Sequence, residues 1–151
     1  MSTVLPDVIA ITALRLSGNG GGEEGFRADV YDDATGIPMQ GPKGNPTVGY
    51  GCKVIGWSKQ FAYDVMKLQL QAFKISLMAF DWFNKIDPVR QSVFLDLAFN
   101  MGVSGLLHYP HMIAFASAGD WVDAAKECTS TTPGVQARYA NLARILETGA
   151  V

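Results

Sequence analysis

From Ser58 onward, apolar residues recur at spacings of three and four. Phe61, Val65, Met66, Leu70, Phe73, Leu77 and Phe80 form one such series, the period of an amphipathic helix. It predicts one long helix from Ser58 to about Phe83. Asp87-Pro88 is a second strong signal, because an aspartate at the N-cap and a proline at the first helical position both favour a helix start. The helix that follows, VRQSVFLDLAFNM, is apolar on most sides and is expected at the centre of the fold, with Gly102 ending it. PHMIAFAS, then Asp120 capping WVDAAKEC, then a last helix opened by Thr132-Pro133, running to Glu147 and closed by Gly149, complete a helical region.

The first third reads differently. Residues 7–16 form a short helix, with Asp7 as its N-cap after Pro6. The glycine run 18–22 stops it. FRADVY then alternates Phe26, Ala28 and Val30 against Arg27, Asp29 and Tyr31, the period of a half-buried strand. DDATG is a turn, IPMQGPKGNP (37–46) a loop, and TVGYGCKV a second strand. The expected class is α+β. A small antiparallel lobe at about 24–56 joins a larger helical part, 1–17 and 58–151, through the long helix. The two lobes leave a cleft between them, a common place for a ligand site. With 151 residues and no internal repeat, a single domain is expected.

Bulk properties exclude some functions. Hydrophobic residues make up 48% and charged residues 17%, enough apolar surface for a core and too little polarity for disorder. The net charge of −2 provides no basic field for nucleic acid. VLPDVIAITALRL is broken by Asp7 and Arg15 and follows no basic segment, so neither a secretory signal nor a membrane span is expected. Cys52 and Cys128 have no metal-ligand spacing; two reduced buried thiols is the simpler reading, and a disulfide stays open. His108 and His111 are weak evidence for a metal, so no metal and no cofactor are expected.

The chemistry concentrates in GGGEEGFRADVYDD, from Gly20 to Asp33. Hydrolysis of a glycosidic bond needs two carboxyl groups with different duties. One keeps its proton and gives it to the leaving oxygen, while the other stays ionised and activates water or attacks the sugar. Their surroundings must therefore differ, a desolvated acid against a solvated base. Glu24 stands where the first strand begins and Asp33 in the turn beyond it. Taken singly, acids in such places are ordinary solvated side chains, the reading kept for Glu23 and Asp32.

EEGFRADVYDDATG, PTVGYGCK and AFNMG, in that order along nearly the whole chain, resemble the phage-type lysozymes, glycoside hydrolase family twenty-four. The resemblance implies a lysozyme-like fold. It implies an endolysin that cleaves the bond between N-acetylmuramic acid and N-acetylglucosamine in bacterial peptidoglycan, inverting the sugar carbon. It matches Glu24 to the general acid, Asp33 to the second carboxylate and Thr47 to the threonine that helps hold the attacking water. Asn100 and Tyr50 fall at substrate-binding positions. Arg138 matches an arginine that pairs with the catalytic glutamate; the other reading of Arg138 is an exposed helical arginine. Peptidoglycan is the implied substrate, and a holin the implied route from the host cytoplasm to the periplasm. A monomer is expected, with no stable membrane insertion and no separate wall-binding domain.

Four features depart from the family. SGNGGG stands between the first helix and Glu24, where it is expected to act as a hinge. The loop 37–46 is longer. Cys52 replaces a common histidine. The stretch before the last helix lacks a frequent tryptophan, and Tyr139 replaces a second arginine. Two alternatives stay open: a wall-binding or phage-structural module without activity, and a lytic transglycosylase, for which Asp33 and Thr47 would be superfluous.

Overall fold

The computed structural model describes residues 7–17, 47–48, 52–53 and 56–151. Among these, seven helices and one short antiparallel ladder form. Helix α1, Val8–Ser17, starts where Asp7 Oδ1 accepts from the Ile9 amide at 3.0 Å. Strands β1, Thr47–Val48, and β2, Cys52–Lys53, pair with each other, Thr47 opposite Lys53 and Val48 opposite Cys52. Thr47–Val48 and Cys52–Lys53, expected within one strand, are therefore two strands paired with each other, and β-formers interleaved with glycine suit either arrangement. FRADVY, the expected partner of that strand, and the remainder of the 24–56 lobe fall outside the described residues, as does the glycine run.

Helix α2 spans Lys59–Leu77, with Ser58 Oγ capping the Phe61 amide at 3.1 Å. It stops short of the expected Phe83. Phe80 is extended, and a separate short helix, α3 (Asp81–Lys85), follows. The side chain of Asn84 fixes this break, its Nδ2 donating to the carbonyls of Met78 (2.8 Å) and Phe80 (3.3 Å). Turning the chain here places Phe83 in the core and sets Trp82 edge-on to Phe94, with ring centroids 5.0 Å apart. Apolar spacing cannot reveal such a turn, because Leu77 and Phe80 keep a helical interval across it.

Helix α4, Pro88–Leu106, is central as expected. Asp87 Oδ1 caps it, accepting from the amides of Val89 and Arg90 at 3.0 Å each. Every residue from Ser92 to Ala98 is buried, and α1, α2 and α7 (Gln136–Thr148) all pack against α4. Gly102, at φ 76° and ψ 162°, breaks the helical path, and a further turn follows before α5, Pro110–Ala118. Helix α6, Trp121–Glu127, begins where Asp120 Oδ1 accepts from the Asp123 amide at 3.2 Å.

Helix α7 begins at Gln136 rather than at Thr132-Pro133. Gly134, at φ 85°, lies in the left-handed region and interrupts any helix opened by Pro133, and its amide donates to Gln136 Oε1 at 3.0 Å. The helix ends at Gly149, φ 67°, whose amide donates to the Ile145 carbonyl at 2.9 Å. Arg90 closes this end from α4. Its Nε donates to the Leu146 carbonyl at 2.6 Å and its Nη2 to that of Glu147 at 3.1 Å. The guanidinium also lies over the Trp121 ring, 4.3 Å from the centroid. One arginine thus ties the start of α4 to the end of α7 and the start of α6, where unsatisfied carbonyls attract a cation.

Candidate active site

The apolar run of α4 contains one charge. Asp96 is fully buried, and a carboxylate survives there only with partners. Two arginines from distant parts of the chain supply them. Arg15 on α1 donates through Nη2 to Oδ2 at 2.8 Å. Arg138 on α7 approaches Oδ1 through Nε at 3.0 Å and Nη2 at 2.8 Å. Arg15 is further held by Ser92, donating to its Oγ at 3.1 Å and its carbonyl at 2.9 Å. Both arginine side chains are largely buried, 5% and 12% exposed. Each takes part in a further interaction besides these. The cluster pins α1, α4 and α7 together at one point.

Neutral groups surround it. The Cys128 thiol, free and 2% exposed, is pushed up to about 12 by burial, with the Asp96 charge adding and Arg15 opposing. Tyr139, next to Arg138, is 5% exposed. Burial raises its hydroxyl to about 12; Tyr109 contributes to the rise, and a hydrogen bond with Asn100 works against it. Burial disfavours the charged form of both groups, so neither adds charge near neutral pH.

Of the residues expected at the site, Asn100 and Arg138 both sit where α7 packs on α4, Asn100 bonded to Tyr139 and Arg138 to Asp96. Asn100 follows Asp96 by four positions, and so lies one turn along the same face of α4. It is exposed, and it reaches Tyr139, the neighbour of Arg138 in sequence. The reading of Arg138 as an exposed helical arginine does not hold, because Asp96 takes it into the interior. Thr47 lies in β1 opposite Lys53. Glu24, Asp33 and Tyr50 lie outside the described residues, and with them the expected pairing of Glu24 with Arg138. His108 is exposed, with Nδ1 2.8 Å from the Ser104 carbonyl. Among the described residues no group of histidines, cysteines and acids could hold a metal.

Asp96, Arg15 and Ser92 escaped the reading of the sequence. One signal was available: an aspartate inside an otherwise apolar central helix demands a cation. In the sequence, Arg15 stands out only as an interruption of an apolar segment.

The family model for phage lysozyme matches residues 21–140. The chain belongs to the phage lysozyme family. Membership implies glycoside hydrolase activity on peptidoglycan and supports a muramidase or endolysin role. Glu24, Asp33, Thr47, Tyr50, Asn100 and Arg138 all fall within the matched residues, as does Asp96; Arg15 precedes them. No curated protein matches the chain. Among the described residues no helix is long and apolar enough to cross a membrane.

Proposed function

We propose that this phage-lysozyme family member is an endolysin that hydrolyses the β-1,4 bond between N-acetylmuramic acid and N-acetylglucosamine. The family match over residues 21–140 carries this reading. Glu24 is the general acid, giving its proton to the departing glycosidic oxygen. Asp33, with the Thr47 hydroxyl, holds a water on the opposite face of the sugar and takes its proton as the water attacks. Attack from that face inverts the anomeric carbon. Asn100 and Tyr50 contact the sugar.

Arg138 supports the acid electrostatically. A cation beside a carboxylic acid favours loss of its proton, so desolvation of Glu24 must offset Arg138 if the acid is to remain protonated. The support for this role is that Arg138 is held by Asp96 beside Asn100 and Tyr139 rather than free on the surface. The domain is single. The enzyme waits in the host cytoplasm as a monomer and reaches the wall once a holin opens the inner membrane.

The test is loss of turbidity of permeabilised Gram-negative cells, with wild type compared against Glu24→Gln and Asp33→Asn. Both variants lose lysis. Mass analysis of the fragments shows reducing muramic ends; anhydro-muramic ends would instead mark a transglycosylase. Binding to wall without cleavage would mark an inactive module.

A further inference from the structure

We propose that the outer face of α2 is a docking surface for an anionic phospholipid bilayer, on which the protein lies without entering the hydrocarbon core. This surface takes no part in the chemistry proposed above.

Helix α2 has two apolar faces. One is the core face: Leu70 and Leu77 are fully buried, and Tyr63, Met66 and Phe73 pack beside them. The other faces solvent. Phe61, Leu68 and Ile75 stand seven positions apart, which keeps them close to one line along a helix, and they are 45%, 66% and 65% exposed. Met78, the C-cap, is 52% exposed and lies at the end of the row. At its start Trp57 sets its ring edge-on to Phe61, with centroids 5.0 Å apart. Leu68 and Leu70 are about 200° apart around the axis, so the neighbours that bury one row do not cover the other. Four of the seven large apolar side chains exposed among the described residues belong to this row and its end. Scattered singly, such side chains are ordinary; in a row they mark an interaction surface.

Charge and area select the occupant. The helix carries three lysines, Lys59, Lys67 and Lys74, against one acid, Asp64, a net charge of +2, although the whole chain stands at −2. Lys67 and Asp64 offset each other, with Nζ 2.8 Å from Oδ1, which leaves Lys59 and Lys74 to attract an anionic surface. Lys67 and Lys74 directly precede Leu68 and Ile75, about 100° to one side of the row. Lysine stems at such positions reach headgroup phosphates while the apolar row is submerged. A tryptophan at the start of the row suits the same boundary. The charges keep α2 out of the hydrocarbon core, so it lies in the plane of the interface. A second copy of the chain fits the face less well. A helix of 19 residues is about 28 Å long, and a strip about 10 Å wide along it covers roughly 300 Å² per copy, well short of the ~800 Å² of a stable interface. Such a pair would also bring two positively charged helices together.

The test is co-sedimentation of the full chain with vesicles of mixed phosphatidylethanolamine and phosphatidylglycerol, against vesicles of phosphatidylcholine alone. The protein pellets with the anionic vesicles, less so at high salt, and stays in solution with phosphatidylcholine. Leu68→Gln/Ile75→Gln changes two exposed positions, keeps the wild-type urea midpoint and weakens binding by about tenfold or more. Lys59→Gln/Lys74→Gln weakens it by about tenfold and carries the same test through charge alone. Val122→Gln, at an exposed apolar residue of α6, leaves binding unchanged. Equal binding by wild type and Leu68→Gln/Ile75→Gln, or no binding to anionic vesicles, overturns the proposal. So does a dimer in sedimentation equilibrium that Leu68→Gln/Ile75→Gln dissolves, because the row would then belong to a second copy. The two readings fail separately: a Glu24→Gln variant that still clears cells defeats the assignment of the acid and leaves this surface standing.

Discussion

Arg138 Nη2 stands 2.8 Å from Asp96 Oδ1, joining the last helix to the buried centre of α4. With Arg15 on the other oxygen, this contact places an ion cluster inside the core that also borders the proposed active site. Such clusters add little net stability when intact, because desolvation opposes the attraction; they cost much when one member is removed.

Asp96→Ala therefore leaves two largely buried guanidiniums without their carboxylate. The expected loss is about 3–5 kcal/mol, read from urea unfolding. A loss below about 1 kcal/mol, the range of exposed pairs, would show that water reaches the cluster.

The end of α7 supplies an independent check. A Cβ at Gly149 would lie 2.9 Å from Arg90 Nη1, and the backbone there has φ 67°. The tip of an arginine could ordinarily move aside, but Arg90 is held by the carbonyls of Leu146 and Glu147, by Asp87 and by the Trp121 ring. Gly149→Ala is expected to cost about 1–3 kcal/mol from the left-handed backbone, with a further loss from displacing Arg90. In an Arg90→Ala background only the backbone part remains. A double-mutant cycle measures the difference, and full additivity would remove the clash from the explanation.

Alkaline stability depends on Cys128 and Tyr139. The folded state raises both from their ordinary values, 9.0 and 10.0, to about 12. An acid whose folded pKa is raised ionises first in the unfolded chain. Its contribution is complete below the unfolded value and is lost as pH rises through the folded one. Stability should fall between about pH 9 and 12, by up to about 1.4 kcal/mol per pH unit for each group. Cys128→Ala flattens the portion between 9 and 10, where tyrosine contributes little. Denaturant melts at pH 8, 9 and 10 test this, and an unchanged slope in the variant would rule the thiol out.

Local signals in the sequence were reliable where one residue sets the backbone. Asp7, Asp87 and Asp120 cap their helices, and Gly149 ends the last one, because each effect reaches only a few residues. Two boundaries were not legible for the same reason. The turn between Leu77 and Asp81 depends on Asn84 reaching back to Met78 and Phe80, while the apolar spacing runs on unbroken. The late start of α7 depends on Gly134, one residue past a proline that favours a helix start. The ion cluster was least legible of all. Arg15 and Arg138 lie 81 and 42 positions from Asp96, and only packing α1 and α7 on α4 brings them to it. Of the proposed site residues, Asn100 and Arg138 both sit where α7 packs on α4, through separate contacts with Tyr139 and Asp96 that spacing alone does not suggest.

The most direct measurement is lysis of permeabilised Gram-negative cells by wild type, Glu24→Gln and Asp33→Asn at matched folded concentration, with fragments identified by mass. Wild type should clear the suspension and release reducing muramic ends, and both variants should lose activity by a factor on the order of a hundred or more, as expected when an acid–base group is removed. Clearing by either variant at the wild-type rate would contradict the two-carboxylate mechanism.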